Sequence, residues 1–231
     1  MKKILIFGTG DIGQLAHYYI TNDSDTEVVA FCSDGAYVDA DEYNGLPLIA
    51  LEEVLEAYPP DDFGMFVALS YRNLNLTRRE KYEEVKGMGY TLPSYICSKS
   101  VIWDEDAIGD NCFIFENQTI QPFVTIGNNV TLWSGNHIGH HSTIGDHCFV
   151  TSHVVVSGHV DIGHSCFLGV NATIRDGIAL APQTVVGAGA TILKPTVEQG
   201  VYVGEAAKLR SQKGAKLSYF TKTSYQEKDE S

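Results

Sequence analysis

The 231-residue sequence has few basic residues, no long apolar run and no closely spaced cysteine pair. Its 16 Lys and Arg against 29 Asp and Glu give a formal charge of −13. This charge argues against a nucleic-acid-binding protein, which needs a basic face to neutralise phosphates. No apolar stretch approaches the ~20 residues of a membrane span, and the run in "KKILIFGTG" is too short for a signal peptide. We therefore expect a cytoplasmic protein without a membrane span.

The five cysteines are odd in number, and no two of them form a C-x-x-C pair. This usage argues against a disulfide framework or a zinc ribbon. The remaining composition, with 44% hydrophobic and 19% charged residues, is that of an ordinary globular protein. The length suffices for one large domain or two small ones.

A six-residue repeat dominates the second half of the chain. An aliphatic residue occupies every sixth position from Ile102 to Ile192 without interruption. A period of six fits neither a helix nor a hairpin, and it is typical of a parallel β-helix in which three hexapeptides close one coil. The length of the repeat predicts about five coils.

Stacking of successive coils predicts two interior columns of side chains. One column holds the aliphatic residues at positions 102, 120, 138, 156, 174 and 192. The other holds smaller residues, namely Cys112, Val130, Cys148, Cys166 and Thr184. Three cysteines are therefore expected to be compact core residues, with no redox or metal role.

The first hundred residues predict an α/β domain of half-Rossmann type over residues 1–98. Gly8, Gly10 and Gly13 form G-x-G-x-x-G in a strand–turn–helix context, and a second strand ends at Asp34. Because the domain is only half of a dinucleotide fold, we expect one nucleotide, with its phosphates near the glycine turn and its base or ribose near Asp34. The glycines could instead simply permit a tight turn.

The order of these two domains, with the motifs "FGTGDIG", "GHHSTIGDHCF", "VGAGATILK" and "VYVGEAAK", resembles a bacterial enzyme family. The family that the chain resembles is the hexapeptide-repeat sugar acyltransferases of surface-polysaccharide biosynthesis. This family includes bacillosamine and perosamine N-acetyltransferases and sialic-acid O-acetyltransferases. The resemblance implies a left-handed β-helix over 99–195, and a cap with a polar tail over 196–231. It also implies a homotrimer, acetyl-CoA bound between neighbouring prisms, and a nucleotide-linked amino sugar as acceptor.

The resemblance also implies site residues by position. The sugar-nucleotide contacts fall on Gly10, Asp11, Ile12, Ser33, Asp34 and Ser70. The donor contacts fall on Phe149, Gly158, Val170 and Ala188, with the backbone N–H of Gly158 facing the thioester oxygen. The catalytic base falls on His140. The family's base is usually followed by Asp or Glu, whereas His141 follows here, so the group that orients the base is left open and His141 is kept as a second catalytic candidate.

The cluster "GNHIGHHSTIGDHC" allows three interpretations of its histidines. His137, His147 and, further on, His164 are each expected at solvated turns outside the prism. A zinc site like that of hexapeptide carbonic anhydrases matches the spacing of His159 and His164. Phe123 occupies the position of its third ligand, however, so we expect no metal. A general base fits His140, with His141 and His159 as alternatives, because an imidazole titrates near neutrality and can take a proton from an amine.

Two rows of aromatic residues are predicted to face outward from the prism. Phe113, Phe149 and Phe167 align in one register, and Phe115 and Trp133 align in another. Contiguous apolar surface usually marks an interface. The rows therefore predict a trimer contact, although part of this surface could instead line the coenzyme groove.

The sequence thus favours an acetyl-CoA-dependent N-acetyltransferase acting on a nucleotide-linked (UDP, GDP or dTDP) amino sugar. The nearest alternative is sugar O-acetylation, which uses the same donor and base. A non-catalytic trimeric binding module is a second alternative, and the acyltransferase motifs argue against it. A nicotinamide-dependent oxidoreductase is favoured by the glycine motif alone.

Overall fold

The computed structural model describes residues 3–209, so the part of the polar tail beyond 209 lies outside the described residues. The amino-terminal domain contains strands β1 (Lys3–Phe7), β2 (Glu27–Ser33), β3 (Glu42–Tyr43), β4 (Leu46–Ala50) and β5 (Gly64–Val67), and helices α1 (Asp11–Asp23), α2 (Val54–Ala57) and α3 (Leu76–Gly87). Its sheet has the order β3-β4-β2-β1-β5 and is parallel except for β3. Within residues 3–209, no helix combines the length and apolar character needed to cross a bilayer.

This sheet confirms the predicted α/β domain but is wider than the sequence indicates. The pair β3 and β4 is not predicted, because Pro47 interrupts a short apolar run that would otherwise read as a strand. The segment "ALEEVLEAY" forms a helix of a single turn, α2. Helix α1 packs on the sheet through Gly13, Ala16 and Ile20, which recur at helical spacing.

The β-helix is a triangular prism of two-residue strands. The first face contains Tyr95–Ile96, Phe113–Ile114, Thr131–Leu132, Phe149–Val150, Phe167–Leu168, Val185–Val186 and Val201–Tyr202 (β6, β8, β11, β14, β17, β20 and β22). The second face contains Val101–Ile102, Thr119–Ile120, His137–Ile138, Val155–Val156, Thr173–Ile174 and Thr191–Ile192 (β7, β9, β12, β15, β18 and β21). The third face contains Thr125–Ile126, Thr143–Ile144, Asp161–Ile162 and Ala179–Leu180 (β10, β13, β16 and β19).

The coils are left-handed and stack in parallel register, as predicted, so residues 18 apart are neighbours. The first β-helix strand begins at Tyr95, slightly before the boundary predicted at 99. The interior is one continuous apolar cluster that contains both predicted columns except Thr184, which is buried beside it. Cys112, Cys148 and Cys166 are fully buried in it, which confirms their predicted place in the core.

The corners of the prism impose a backbone conformation that explains many of the histidines. Every sixth residue from Asn111 to Gly189 has a positive φ, and His141, His147, His153 and His159 occupy four of these positions. Asn, Asp and His are enriched in this left-handed region among residues other than glycine. Half of the chain's eight histidines therefore satisfy a requirement of the turn, whatever else they do.

The amino-terminal domain covers the first face of the prism. Phe113 and Phe115 lie in one apolar cluster with Ile4, Phe31 and Phe66 of the α/β domain. Further along the face, Tyr71 packs against Phe149 and Phe167, with ring centroids 5.0 and 4.9 Å apart. The aromatic rows face outward from the prism as predicted, but the prediction that they form a trimer contact is wrong. Each chain covers them with its own first domain, a long-range contact that a register argument cannot detect.

Two helices fix this contact at its edges. On α1, the Tyr19 hydroxyl donates to a Glu116 carboxylate oxygen at 2.9 Å. On α3, the fully buried guanidinium of Arg78 donates to backbone carbonyls of the prism corner that carries His147. These hydrogen bonds fix the position of the α/β domain on the β-helix.

Candidate active site

A cleft opens at the carboxyl ends of β1, β2 and β5, where ligands bind in parallel α/β sheets. It has a volume of about 380 Å³, and its lining includes Gly10, Ser33, Asp34, Ser70, Arg72 and Lys81. An adjoining cleft shares Gly10 and Ser70, and adds Asp11, Ile12 and Trp133. The six residues predicted to bind the sugar nucleotide therefore line two connected clefts.

The three glycines of the motif have different physical roles. A Cβ on Gly8 would lie 2.6 Å from the Ala68 carbonyl oxygen, and one on Gly13 would lie 2.0 Å from the Gly8 oxygen. These two glycines permit the turn and the close packing of α1 on β1. Nothing lies within 4 Å of a Cβ at Gly10. Its missing side chain instead leaves space in the cleft, where a ligand can approach the backbone.

Two cationic residues of the cleft were missed by the sequence analysis. Arg72 follows β5, and Lys81 lies on the face of α3 that borders the cleft. The ammonium of Lys81 lies 2.6 Å from a carboxylate oxygen of Asp34 and 2.6 Å from one of Glu84. Burial opposes the charge on Lys81, but these two carboxylates outweigh it and raise the pKa of Lys81. The cleft thus presents a stable cation, with Asp34 held by it.

His140 lies on the corner between the second and third faces, formed by the turns 139–142 and 157–160. We call this the histidine corner. Its backbone is fixed from both neighbouring coils, because the His140 N–H donates to Gln121 Oε1 at 2.9 Å and its carbonyl accepts from the His159 N–H at 2.9 Å. The imidazole itself is exposed. Its Nδ1 lies 3.0 Å from Nδ1 of His141, which leaves Nε2 as its free nitrogen.

Gly158 makes room for the His140 ring. A Cβ at Gly158 would lie 2.8 Å from His140 Cε1 and 2.9 Å from Nε2. Because such contacts are shorter than van der Waals distance, any larger residue would displace the ring. The 18-residue stacking therefore brings Gly158 and His140 together, as the sequence predicted.

The histidine corner also gathers three imidazoles. The side chains of His140, His141 and His159 are exposed, and one nitrogen of each lies within 4.8 Å of the others. His164, the other histidine of the zinc arrangement considered from the sequence, lies on a different corner of the prism from His159. Ligands of tetrahedral zinc with Zn–N bonds of ~2.0–2.1 Å lie roughly 3.3 Å apart. Nδ1 of His140 and Nδ1 of His141 lie 3.0 Å apart, close to this spacing.

The predicted donor contacts do not meet within one chain. Val170 and Ala188 are exposed in successive coils on the corner between the first and second faces, whereas Gly158 lies on the histidine corner. Phe149 is 1% exposed beneath Tyr71 and Arg78. Its prediction as a donor contact is therefore wrong, because the amino-terminal domain covers it.

Two of the three histidines expected at solvated turns are placed differently. His137 lies in a strand of the second face and is half-buried, and only His164 is an exposed corner residue as predicted. His147 is buried, its Nδ1 is 3.0 Å from the Asn129 amide nitrogen, and the Tyr82 ring packs edge-on against it. Burial lowers the pKa of His147 to about 4.

His147 should make the fold sensitive to acid. Its folded pKa of about 4 lies below the ordinary 6.5, so the unfolded chain binds the additional proton between these values. The contribution of neutral His147 to the free energy of unfolding is complete above pH 6.5. It is lost as pH falls towards 4, by up to about 3 kcal/mol. The variant His147→Asn tests this, because Asn suits the positive φ at this position. It would add a third amide to the column that already contains the buried Asn111 and Asn129.

Denaturant unfolding from pH 7 to 4 measures this effect. We expect the variant to lose clearly less free energy of unfolding over this range than the wild type does. Equal slopes for the two proteins would mean that His147 has the same pKa in the folded and unfolded states.

Comparison with known proteins confirms the repeat and the fold. Residues 123–158 match the family described as bacterial transferase hexapeptide (six repeats), and residues 159–194 match the hexapeptide repeat of succinyl-transferase. A search of curated proteins finds no match to the sequence.

Several solved structures share the two-domain fold. The acetyltransferase domain of PglB from Neisseria gonorrhoeae has 20% identity and a TM-score of 0.74, over 90% of this chain and 99% of that one. PerB from Caulobacter crescentus, in complex with CoA and GDP-perosamine, has 20% identity and a TM-score of 0.76, over 91% and 98%. WeeI from Acinetobacter baumannii has 18% identity and a TM-score of 0.70, over 88% and 97%.

Proposed function

We propose that this chain, which has the hexapeptide repeats and the two-domain fold of the bacterial sugar acyltransferases, is an acetyl-CoA-dependent N-acetyltransferase of nucleotide-linked amino sugars. The observation that carries the proposal is the position of His140. Its exposed imidazole packs against Gly158 of the next coil, and its Nε2 is free. The cleft supplies the second requirement, a site for a nucleotide, with Arg72 and the open backbone at Gly10 for its phosphates and the paired Lys81 and Asp34 for its polar groups. Similar structures include a complex with acetyl coenzyme A and one with CoA and GDP-perosamine.

The chemistry needs one base. The sugar nitrogen forms a bond to the carbonyl carbon of the thioester, and its proton passes to His140 Nε2. The C–S bond then breaks and the same proton passes to sulfur, so the products are an N-acetyl sugar nucleotide and free CoA thiol. The backbone N–H of Gly158 is the proposed donor to the oxyanion of the tetrahedral intermediate.

The experiment is a panel of UDP-, GDP- and dTDP-linked amino sugars and their hydroxyl counterparts, each incubated with acetyl-CoA. We expect free thiol and a product heavier by one acetyl group with at least one amine acceptor. Acetylation confined to hydroxyl acceptors would make the protein an O-acetyltransferase. Thermal stability should rise with CoA and not with NADH. A rise with neither ligand would favour a non-catalytic binding module.

The proposed site needs two copies of the chain. The nucleotide clefts lie against the first face, and the histidine corner is the corner opposite that face. The proposed donor contacts lie on two separate corners. Phe123, which neighbours His141 on the histidine corner, is 71% exposed, as expected of a residue that another copy covers. These observations support a homotrimer in which each site takes its cleft from one copy and its base from the next.

Mixing inactive variants tests this sharing. Co-expression of His140→Ala with a cleft variant such as Arg72→Ala/Lys81→Ala should give trimers that are more active than either parent, because about a quarter of their sites combine an intact cleft with an intact base. Light scattering should report trimers at micromolar concentration. Mixed trimers no more active than their parents would place cleft and base in one chain, and a monomer would end the shared-site proposal.

Asp34 should anchor the nucleotide. Asp34→Ala should raise KM for the sugar nucleotide by about tenfold and leave KM for acetyl-CoA nearly unchanged, because its carboxylate fixes Lys81 and borders the cleft. Glu84→Ala is the matched control, since Glu84 holds the same ammonium from an exposed position. Steady-state kinetics with each substrate varied measure both effects. If Asp34→Ala weakens both substrates equally, Asp34 has a structural role.

A further inference from the structure

The histidine corner lacks the carboxylate that usually orients a histidine base. Within residues 3–209, no Asp or Glu forms an ion pair or a hydrogen bond with His140, His141 or His159. The only side-chain partner of the His140 ring there is Nδ1 of His141, at 3.0 Å. A lone exposed imidazole would rotate freely, so this contact is the one that can hold the ring in place.

We infer that His141 is the positioning residue of the base, and that His159 holds His141 in turn. The inference rests on the proposed function, in which His140 is the base. In this arrangement a neutral imidazole orients the base, a role that a carboxylate usually has beside a catalytic histidine.

The direction of the hydrogen bond follows from the chemistry. A neutral imidazole carries one proton, and Nε2 of His140 must hold a lone pair to accept a proton from the amine. His140 Nδ1 therefore carries the hydrogen and donates it to Nδ1 of His141. His141 then has its own hydrogen on Nε2, and the pair fixes the tautomer of the base as well as its orientation.

His159 restricts the His141 ring. The two rings stack with centroids 4.8 Å apart and an interplanar angle of 14°. Phe123 packs against the opposite side of His141, with centroids 4.7 Å apart. His159 also meets the His140 ring edge-on at 5.1 Å. The His141 ring is thus held between the rings of Phe123 and His159, in the position from which it contacts His140.

The backbone allows a matched set of variants at position 141. Its φ of 57° suits Gly, Asn and Asp, so each substitution tests the side chain without straining the turn. Gly removes the acceptor, Asn retains a neutral acceptor, and Asp supplies the carboxylate found in related enzymes.

We expect His141→Gly to lower kcat by about 10- to 100-fold, with KM for both substrates and the oligomer unchanged. His141→Asn should recover part of the loss. His141→Asp should return kcat to within about threefold and move the acid limb of the kcat profile to higher pH, because an adjacent carboxylate favours the protonated ring. A residue needed only for the turn would give three equally active variants, and that result would overturn the inference.

His159→Asn should lower kcat by about three- to tenfold, since His159 acts only through its neighbour. Its φ of 56° suits Asn, and His164→Asn on a different corner is the control that should leave kcat unchanged. Equal kcat for His159→Asn and wild type would remove His159 from the assignment.

A measurement without substrate separates this inference from the proposed function. Nitrogen-15 NMR of the histidine rings should show His140 as the Nδ1–H tautomer in the wild type, and a shift towards Nε2–H in His141→Gly. An Nε2–H tautomer in the wild type would overturn the inference even if the protein is an active transferase. The Nδ1–H tautomer without acetyl transfer would leave the pair established and refute the function.

Discussion

His140→Ala should lower kcat by ~10²–10⁴, the usual contribution of a positioned general base. The amine must lose its proton as the tetrahedral intermediate forms, and Nε2 of His140 is the free nitrogen of an exposed ring held against Gly158. KM for acetyl-CoA should change little, because the proposed donor contacts at Gly158, Val170 and Ala188 are backbone or apolar. The proposed trimer should persist, since the side chain takes no part in the interior columns.

Three controls define this result. His164→Ala should keep nearly full activity because His164 lies on another corner, and a chelator should leave the wild type unchanged if the three imidazoles hold no essential ion. His140→Asn should be as inactive as His140→Ala, because an amide cannot accept the proton. Near-full activity of His140→Ala, together with loss in His141→Gly, would move the base one residue along the chain. Loss of activity with chelator would identify a metal centre.

The architecture of the prism could be predicted because its cause is local. Each hexapeptide places an aliphatic residue inside, so a period of six in the sequence is a period of six in space, and the buried columns at Ile138 and Cys148 follow directly. The pairing of His140 with Gly158 could be predicted for the same reason. Both depend only on the 18-residue register.

The contact between the domains could not be predicted in this way. Phe113 and Phe149 have the outward register that the sequence indicates, but the α/β domain covers them. Arg72 and Lys81 reach the cleft from a loop and a helix, and neither the glycine motif nor the six-residue repeat includes them. The six-residue spacing of His141, His147, His153 and His159 was available as a signal. This spacing marks the turn position with a left-handed backbone. His140 does not occupy that position, so the turn does not explain its presence.

The contact between the domains carries the second large prediction, which concerns Arg78. This side chain is 1% exposed, and its guanidinium donates to the carbonyls of Asn129, His147 and Cys148, and to the side-chain oxygens of Asn75 and Asn129. Within residues 3–209 no carboxylate pairs with it. Burial lowers the pKa of Arg78 to about 10, so it is still a cation at neutral pH, and hydrogen bonds to oxygen dipoles stabilise it.

Two effects compete in Arg78→Met. Removing the cation removes the free-energy cost of burying it, but the carbonyls of Asn129 and His147 remain buried and lose their donor, while that of Cys148 keeps the Thr131 N–H. Each unsatisfied buried polar group costs about 1–3 kcal/mol, whereas a hydrophobic replacement of a buried charge is favourable only when its partners are replaced as well. Because these partners are backbone oxygens that no substitution removes, we expect a net loss of about 2–4 kcal/mol in the free energy of unfolding.

Arg79→Met is the matched control for this loss. Arg79 is the next residue of α3 and forms a partly exposed pair with Glu83 at 2.8 Å, four residues along the helix, so its loss should cost at most about 0.5 kcal/mol. Urea unfolding gives both values, and amide exchange should show faster opening of α3 in Arg78→Met alone. A loss below about 0.5 kcal/mol in Arg78→Met would mean that water replaces the guanidinium. In that case the α/β domain is held on the prism by Phe113, Phe115 and their apolar neighbours, and the buried cation contributes orientation rather than stability.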